Sequence, residues 1–411
     1  AELNITFENN IISQPDTIFI PEELTGGLPN DYKYMRYQKD GNYAIDLSNP
    51  SFYTFMKNAE SDSIRKLLRF TFLNKGVPEN LIILDEIIAL RKMFAAILGY
   101  SSYAAYIIED GMAKTSDAVW KFENTLKNKI QNKALWDTQQ LLDIKRKISD
   151  TSASKVFEWE KYYYENQLKF KEYSVDDNEV KKYFEVNNVI NGIFLISQLL
   201  FSIEYKEIED PSVWHNTVRM FEMVEKSTAD VIGIFYLDLF PREYKYQDAA
   251  EFTIISGKKA REKYQLPMAC LVCNLPSSMG DSPSLLTHDD VITLFHAFGH
   301  LLHDLLTTTE LYSQAGTSVA MDFGEAPSQM MEYWAWNKEA LQLFARHYKT
   351  GNQIPDSLLN RMILARNLQS GNDLLQQIFY GILDLNLHEN SISFKNKNIN
   401  ELVIQLQNNI T

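Results

Sequence analysis

Residues 287–303 read Thr287-His288-Asp289-Asp290-Val291-Ile292-Thr293-Leu294-Phe295-His296-Ala297-Phe298-Gly299-His300-Leu301-Leu302-His303. Four of the chain's seven histidines lie in this stretch. Thr287 followed three residues later by Asp290 resembles a capping box, with Asp in place of Glu, and predicts a helix start. Inside that helix His296 and His300 stand four residues apart, one turn along one face. Two imidazoles so placed can grip one zinc ion. Leu294, Phe298, Leu301, Leu302 and Leu305 supply a buried flank. The pair alone does not decide the matter, because two structural histidines explain it as well. A third ligand is needed.

The next informative stretch is Met321-Asp322-Phe323-Gly324-Glu325-Ala326-Pro327-Ser328-Gln329. Pro327 fits the first turn of a helix, where its missing N–H costs nothing. Met330, Met331, Tyr333, Trp334 and Trp336 follow as an apolar helical run, read as core rather than substrate pocket. An acid at a helix start is ordinarily a capping or dipole group, and that reading stands beside a ligand role for Glu325 and Asp322. In the H-E-x-x-H metallopeptidase pattern the Glu after the first His is the general base. Here that position is Ala297.

Outward from these motifs the chain reads as mostly helical. Apolar residues at three- and four-residue steps predict helices over 51–74, 80–98, 116–148, 176–202 and 355–388. A break near 204–212 predicts an extended segment before the next helix. Ile232-to-Leu237, Phe252-to-Ile255 and Pro267-to-Cys273 are short, β-branched or aromatic, and bounded by Gly and Pro. They predict a small sheet near 200–275. Cys270 and Cys273 form a lone C-x-x-C in an apolar run and read as two buried thiols. His215, His347 and His388 are isolated, with surface or core roles. Tyr244 and Tyr246 lie near a sheet edge, where an extended peptide can pair with a strand.

Composition sets the outer bounds. With 411 residues the chain has room for two to three units of about 150 residues. Its 40 basic and 54 acidic residues give a net charge of −14. That balance argues against a nucleic-acid or anionic-membrane surface. With 45% hydrophobic and 23% charged residues, disordered and collagen-like classes are excluded. No run of about 18 apolar residues occurs. Two cysteines cannot build a disulfide framework, which points to a reducing compartment. Residue 1 is Ala, not Met, so the chain is read as processed or as a piece of something longer.

The two motifs together resemble those of the thimet oligopeptidase, neurolysin, oligopeptidase A and dipeptidyl carboxypeptidase family of zinc metallopeptidases. That family carries F-H-E-F-G-H-x-x-H and then D-F-x-E-x-P-S-Q. This chain has Phe295 to His303 and Asp322 to Gln329, with Glu325 placed 325 − 300 = 25 residues after His300. Pro283 to Asp290, Tyr236 to Arg242, Leu98 to Ala104, Glu109 to Ala113 and Glu23 to Pro29 also resemble family segments. At Glu243-Tyr244-Lys245 the chain departs from the family's Gly-Lys.

The resemblance implies a mainly α zinc-metallopeptidase fold with a small sheet and a substrate channel between two helical lobes. Residues 1–200 would form a helical lobe, 201–275 a small mixed α/β region, and 276–411 the zinc-binding catalytic region, its C-terminal end incomplete. It makes His296, His300 and Glu325 the ligands of one Zn2+. Asp322 would hold an imidazole in its tautomer, and His303 would line or buttress the site. Both chain ends look short of the family's, residues 389–411 lacking its Gly- and Tyr-rich loop.

The implied activity is cleavage of internal bonds in short peptides through a metal-activated water, by a cytoplasmic monomer. With Ala297 at the general-base position this form would be inactive, either as a natural homologue or, as the intact surroundings favour, through replacement of a Glu. The rivals are dipeptidyl carboxypeptidase activity on the same scaffold, a non-catalytic zinc protein that binds peptides, and a purely structural helical protein.

Overall fold

The computed structural model describes residues 2–13, 17–246, 248–278, 282–389 and 399–410. Ala1, on which the processed-end reading rests, and the 390–398 part of the final stretch lie outside the described residues. The fold is mainly helical with one small mixed sheet, as expected. The chain forms two compact units, Tyr173–Leu364 and Ala1–Glu172 with Ala365–Thr411.

In the unit containing the N-terminal half, strands β1 (Thr17–Pro21) and β2 (Asn42–Asp46) pair antiparallel. Ile20, Ile45, Phe52, Phe55, Met56 and Leu68 are buried together there. The helix expected over 51–74 is two helices, Asn49–Asn58 and Asp62–Leu73. Ala59 turns extended between them, and the buried Arg65 guanidinium takes the released carbonyls of Ala59 and Glu60 at 2.5 and 3.0 Å. A buried cation thus stabilises a break that periodicity does not register. Residues 116–148 are one helix, Ser116–Ile148, capped by Thr115. Helix Ser370–Glu389 packs on it where Gly371 donates its N–H to the buried Asp137 carboxylate at 2.9 Å. Residues 355–388, read as one or two helices, are two, Asp356–Ala365 and Ser370–Glu389, parted where Gln369 adopts φ +60°.

The other unit holds a five-stranded sheet of order β3-β4-β5-β9-β6. Its strands are β3 (Ile203–Glu207), β4 (Arg219–Glu225), β5 (Val231–Asp238), β6 (Ala250–Ile255) and β9 (Met268–Val272). A small ribbon, β7 (Lys258–Ala260) with β8 (Lys263–Gln265), intervenes in sequence. β5 and β9 are parallel and the other pairs antiparallel. The segment near 204 leads into β4, not into a helix. A bulge between Met223 and Val224 breaks the two-residue alternation that would have marked β4.

Helix His288–Leu305, the ligand helix, lies against one face of this sheet. Val291, Leu294, Phe295, Phe298, Leu301 and Leu305 share a core with Phe221, Phe235, Ala269 and Leu271. That apolar flank fixes the helix and leaves its opposite face for chemistry. The expected helix beginning near Pro327 is Ala326–Glu332, with Pro327 in its first turn.

Candidate metal centre

The ligand helix starts with the expected capping box: Thr287 and Asp290 exchange both bonds, Thr287 N–H to Asp290 Oδ2 at 2.8 Å and Asp290 N–H to Thr287 Oγ1 at 3.1 Å. Two turns on, the imidazoles of His296 and His300 share one face. Helix Ala326–Glu332 crosses closely at Gly299. A Cβ there would stand 2.6 Å from Ser328 Cα and 2.7 Å from the Pro327 carbonyl oxygen. This approach brings Glu325 opposite the two histidines.

Three donor atoms converge. His296 Nε2 and His300 Nε2 are 3.3 Å apart. Glu325 Oε2 is 3.3 Å from the first and 3.2 Å from the second. Donors held at about 2.0–2.1 Å by one tetrahedral ion lie about 3.3–3.4 Å from one another. The triangle therefore has the edge lengths of three vertices of a metal tetrahedron. Among the described residues this is the one group of three or more His, Cys, Asp or Glu whose donor atoms meet so closely.

Protonation supports the same reading. His296 Nδ1 lies 2.7 Å from the Glu332 carboxylate oxygen Oε1, which accepts from it. Burial holds His300 below the usual histidine range, with Glu325 pulling the other way. The Ser328 hydroxyl, 2.7 Å from Oε2, is the main cause holding Glu325 below its ordinary value. Two imidazole nitrogens and a carboxylate oxygen face one point, a donor set that suits a metal ion. Glu325 is 56% exposed, leaving an open side for a fourth ligand.

Ala297 is 1% exposed and belongs to the core behind the triangle. Glu332 was not singled out in the sequence. Its signal was there: seven residues after Glu325 it falls two turns on, on the same helix face. Glu332 accepts from His296, and Asp322 is exposed in the turn before Glu325. His303 lies half-buried with its ring centroid 6.3 Å from that of Phe323. Its Nδ1 is buried without a hydrogen-bond partner among the described residues. It lines a cavity of about 530 Å³ with Phe201, Leu306, Phe323 and Met330.

Tyr244 and Tyr246 precede β6, which is an edge of the sheet. Tyr246 packs its ring edge-on against Phe252 at 5.5 Å. Tyr244 is 91% exposed at φ +60°, a backbone conformation that suits glycine. Nearby, the buried Lys245 ammonium donates to the carbonyls of Asp238, Phe240 and Cys273, which pins this turn to the sheet. Cys270 and Cys273 are both buried thiols, and burial pushes each up to about 12.

The sequence profile described as Peptidase family M3 matches residues 55–411. The chain is similar to the thimet-like oligopeptidase of Dictyostelium discoideum, 34% identical over 96% of this chain and 61% of that protein. It is similar to the saccharolysin of Saccharomyces cerevisiae, 34% identical over 94% of this chain and 57% of that protein. Oligopeptidase A of Salmonella typhimurium is 32% identical over 94% of this chain and 59% of that protein. The chain thus spans between 57% and 61% of the length of these relatives. In fold it resembles a solved Bacillus anthracis protein assigned as an oligoendopeptidase F. The TM-score is 0.56 at 12% identity, covering 100% of this chain and 59% of that one.

Proposed function

The chain belongs to Peptidase family M3, and on that premise we propose that it carries the metal centre of a zinc-dependent oligopeptidase whose general base is replaced by Ala297. The donor triangle of His296, His300 and Glu325 is the observation that carries this reading. A bound zinc ion supplies Lewis acidity, polarising a peptide carbonyl and acidifying a water. The protein's part is to hold the ligands. Glu332 keeps the His296 proton on Nδ1 and so turns Nε2 inward. Ser328 keeps the Glu325 carboxylate ionised and oriented. The core face of the helix fixes both imidazoles one turn apart.

At position 297 no side chain can accept a proton. Loss of general-base catalysis costs about 10²–10⁴-fold in rate. The metal and the peptide would still bind. Short peptides are the substrate class, and a cytoplasmic monomer is the setting, of the same proposal. Release of C-terminal dipeptides is a variant of it on the same ligands. Residues 276–411 carry the zinc-binding region in this reading, and Asp322 and His303 flank it.

Ala297 also favours a second reading, a peptide-binding protein that performs no hydrolysis. Ala297→Glu in the zinc-loaded chain separates the two. Restoration of the base should raise hydrolysis of short peptides by about 10²–10⁴-fold. A variant that holds zinc and peptide but gains no rate supports the binding protein instead.

A further inference from the structure

One turn beyond His300 the ligand helix carries Asp304, which is 1% exposed. Its side chain faces the sheet edge rather than the donor triangle. On the edge strand β6, Glu251 pairs with Leu271 and Thr253 with Ala269 in the register with β9. Leu271 and Ala269 face the ligand helix in the main core, so Glu251 and Thr253 share that face. Two carboxyl groups from distant parts of the chain therefore meet between the strand and the helix.

Both Asp304 oxygens and Glu251 Oε1 are buried from solvent, and only neutral donors and the two carboxyls themselves stand against them. Glu251 meets Asp304 and the Thr253 hydroxyl. Asp304 meets Glu251, the Thr253 hydroxyl and the Thr317 N–H from the following loop. Gly316 makes room for this: any Cβ there would collide with Asp304. No lysine, arginine or histidine is among these neighbours. A buried carboxylate and a half-buried one side by side without a cation repel and lose hydration. Something positive must join them.

A divalent ion fits badly. Calcium asks for six to eight oxygens and magnesium for near-octahedral six. Two carboxyls and one hydroxyl fall short, and the burial of Asp304 leaves little room for waters. One proton suffices. We propose that Glu251 and Asp304 share a single proton at neutral pH, and that the resulting carboxyl–carboxylate hydrogen bond clamps edge strand β6 to the helix that carries the metal ligands. No bond is made or broken beyond that proton transfer, and bulk water is the donor and acceptor.

Burial first, and then the Asp304 charge, pushes Glu251 up to about 8, while burial raises Asp304 as well. A carboxyl with a raised folded-state pKa holds its proton longer than in the unfolded chain. Its stabilising contribution is complete below its ordinary value of 4.5 and is lost as pH rises through about 8. The clamp is closed in mildly acidic and neutral solution and opens in alkali.

Thermal melts of the wild-type chain and of Glu251→Gln between pH 6 and 9 test this. Gln keeps the donor to Asp304 and has no proton to lose. The wild type should lose Tm by about 2–4 °C or more relative to Glu251→Gln over that range. Parallel losses in both proteins would overturn the proposal. Infrared spectra of the wild type alone give a second readout, valid even if the variant does not fold. A protonated-carboxyl carbonyl band should persist at pH 7 and vanish by pH 9, and its absence at pH 7 contradicts a shared proton. Melts with added calcium or magnesium complete the set. A Tm rise in the wild type that Glu251→Gln abolishes would make the pair a cation site and sink the proton clamp.

Discussion

One helix presents two electron-rich clusters, and they differ in what they lack. The His296–His300–Glu325 triangle stands partly open, and its edges match the spacing around a tetrahedral ion. The Glu251–Asp304 pair joins a half-buried carboxyl to a buried one, offers few oxygens, and in our proposal shares a proton. Exposure and donor count separate the two cases. An open triangle of two imidazoles and a carboxylate has the donor set to take up a metal and still admit a further ligand. A closed pair of carboxylates can only neutralise itself. The two proposals thus assign a metal to the open cluster and a proton to the closed one.

The comparison breaks most readily at Glu332. If its carboxylate orients His296, Glu332→Gln should weaken zinc affinity by about 10–100-fold, read by competition with a chelator. The pH-dependence of the melt should stay as in the wild type. A change in the melt profile with no change in affinity would show that the two clusters are not separable. Gly299→Ala comes next. Its methyl group would meet backbone of Ser328 and Pro327, so the crossing helix must shift. Such overpacking costs about 1–3 kcal/mol, measurable by denaturant unfolding, and should also weaken metal binding because Glu325 moves with that helix. Unchanged stability would mean that the close crossing does not set the triangle. The smallest effect belongs to Tyr244. Relieving a left-handed non-glycine residue gains about 1–2 kcal/mol, and the added chain freedom of glycine returns about 0.5–1. Tyr244→Gly should thus stabilise by under about 1 kcal/mol and leave metal content alone. A loss of stability would assign the Tyr244 side chain a packing role despite its exposure.

The triangle became legible because two of its members lie on one helical turn, the third stands two residues before a helix-starting proline, and both strings together resemble one family's motifs. The same periodicity gave the ligand helix its capping box and buried flank. Glu332 was readable by the same two-turn spacing, applied to the next helix. Other features were not readable in that way. The helix break at Ala59 depends on a buried Arg65, β4 hides behind a bulge, and chain order does not show that residues from Ala365 onward join the N-terminal unit. Glu251 and Asp304 are 53 positions apart (304 − 251), and only the packing of the helix on β6 unites them. Local spacing reveals donors on one element. Pairs made by tertiary packing carry no local signal.

The metal centre is the central claim, and metal content tests it most directly. Purified chain, loaded with zinc and dialysed, should retain one zinc ion per molecule, while His300→Ala and Glu325→Ala, verified as folded by circular dichroism, should retain none. Wild-type chain that keeps no zinc, or variants that keep as much as the wild type, would contradict it.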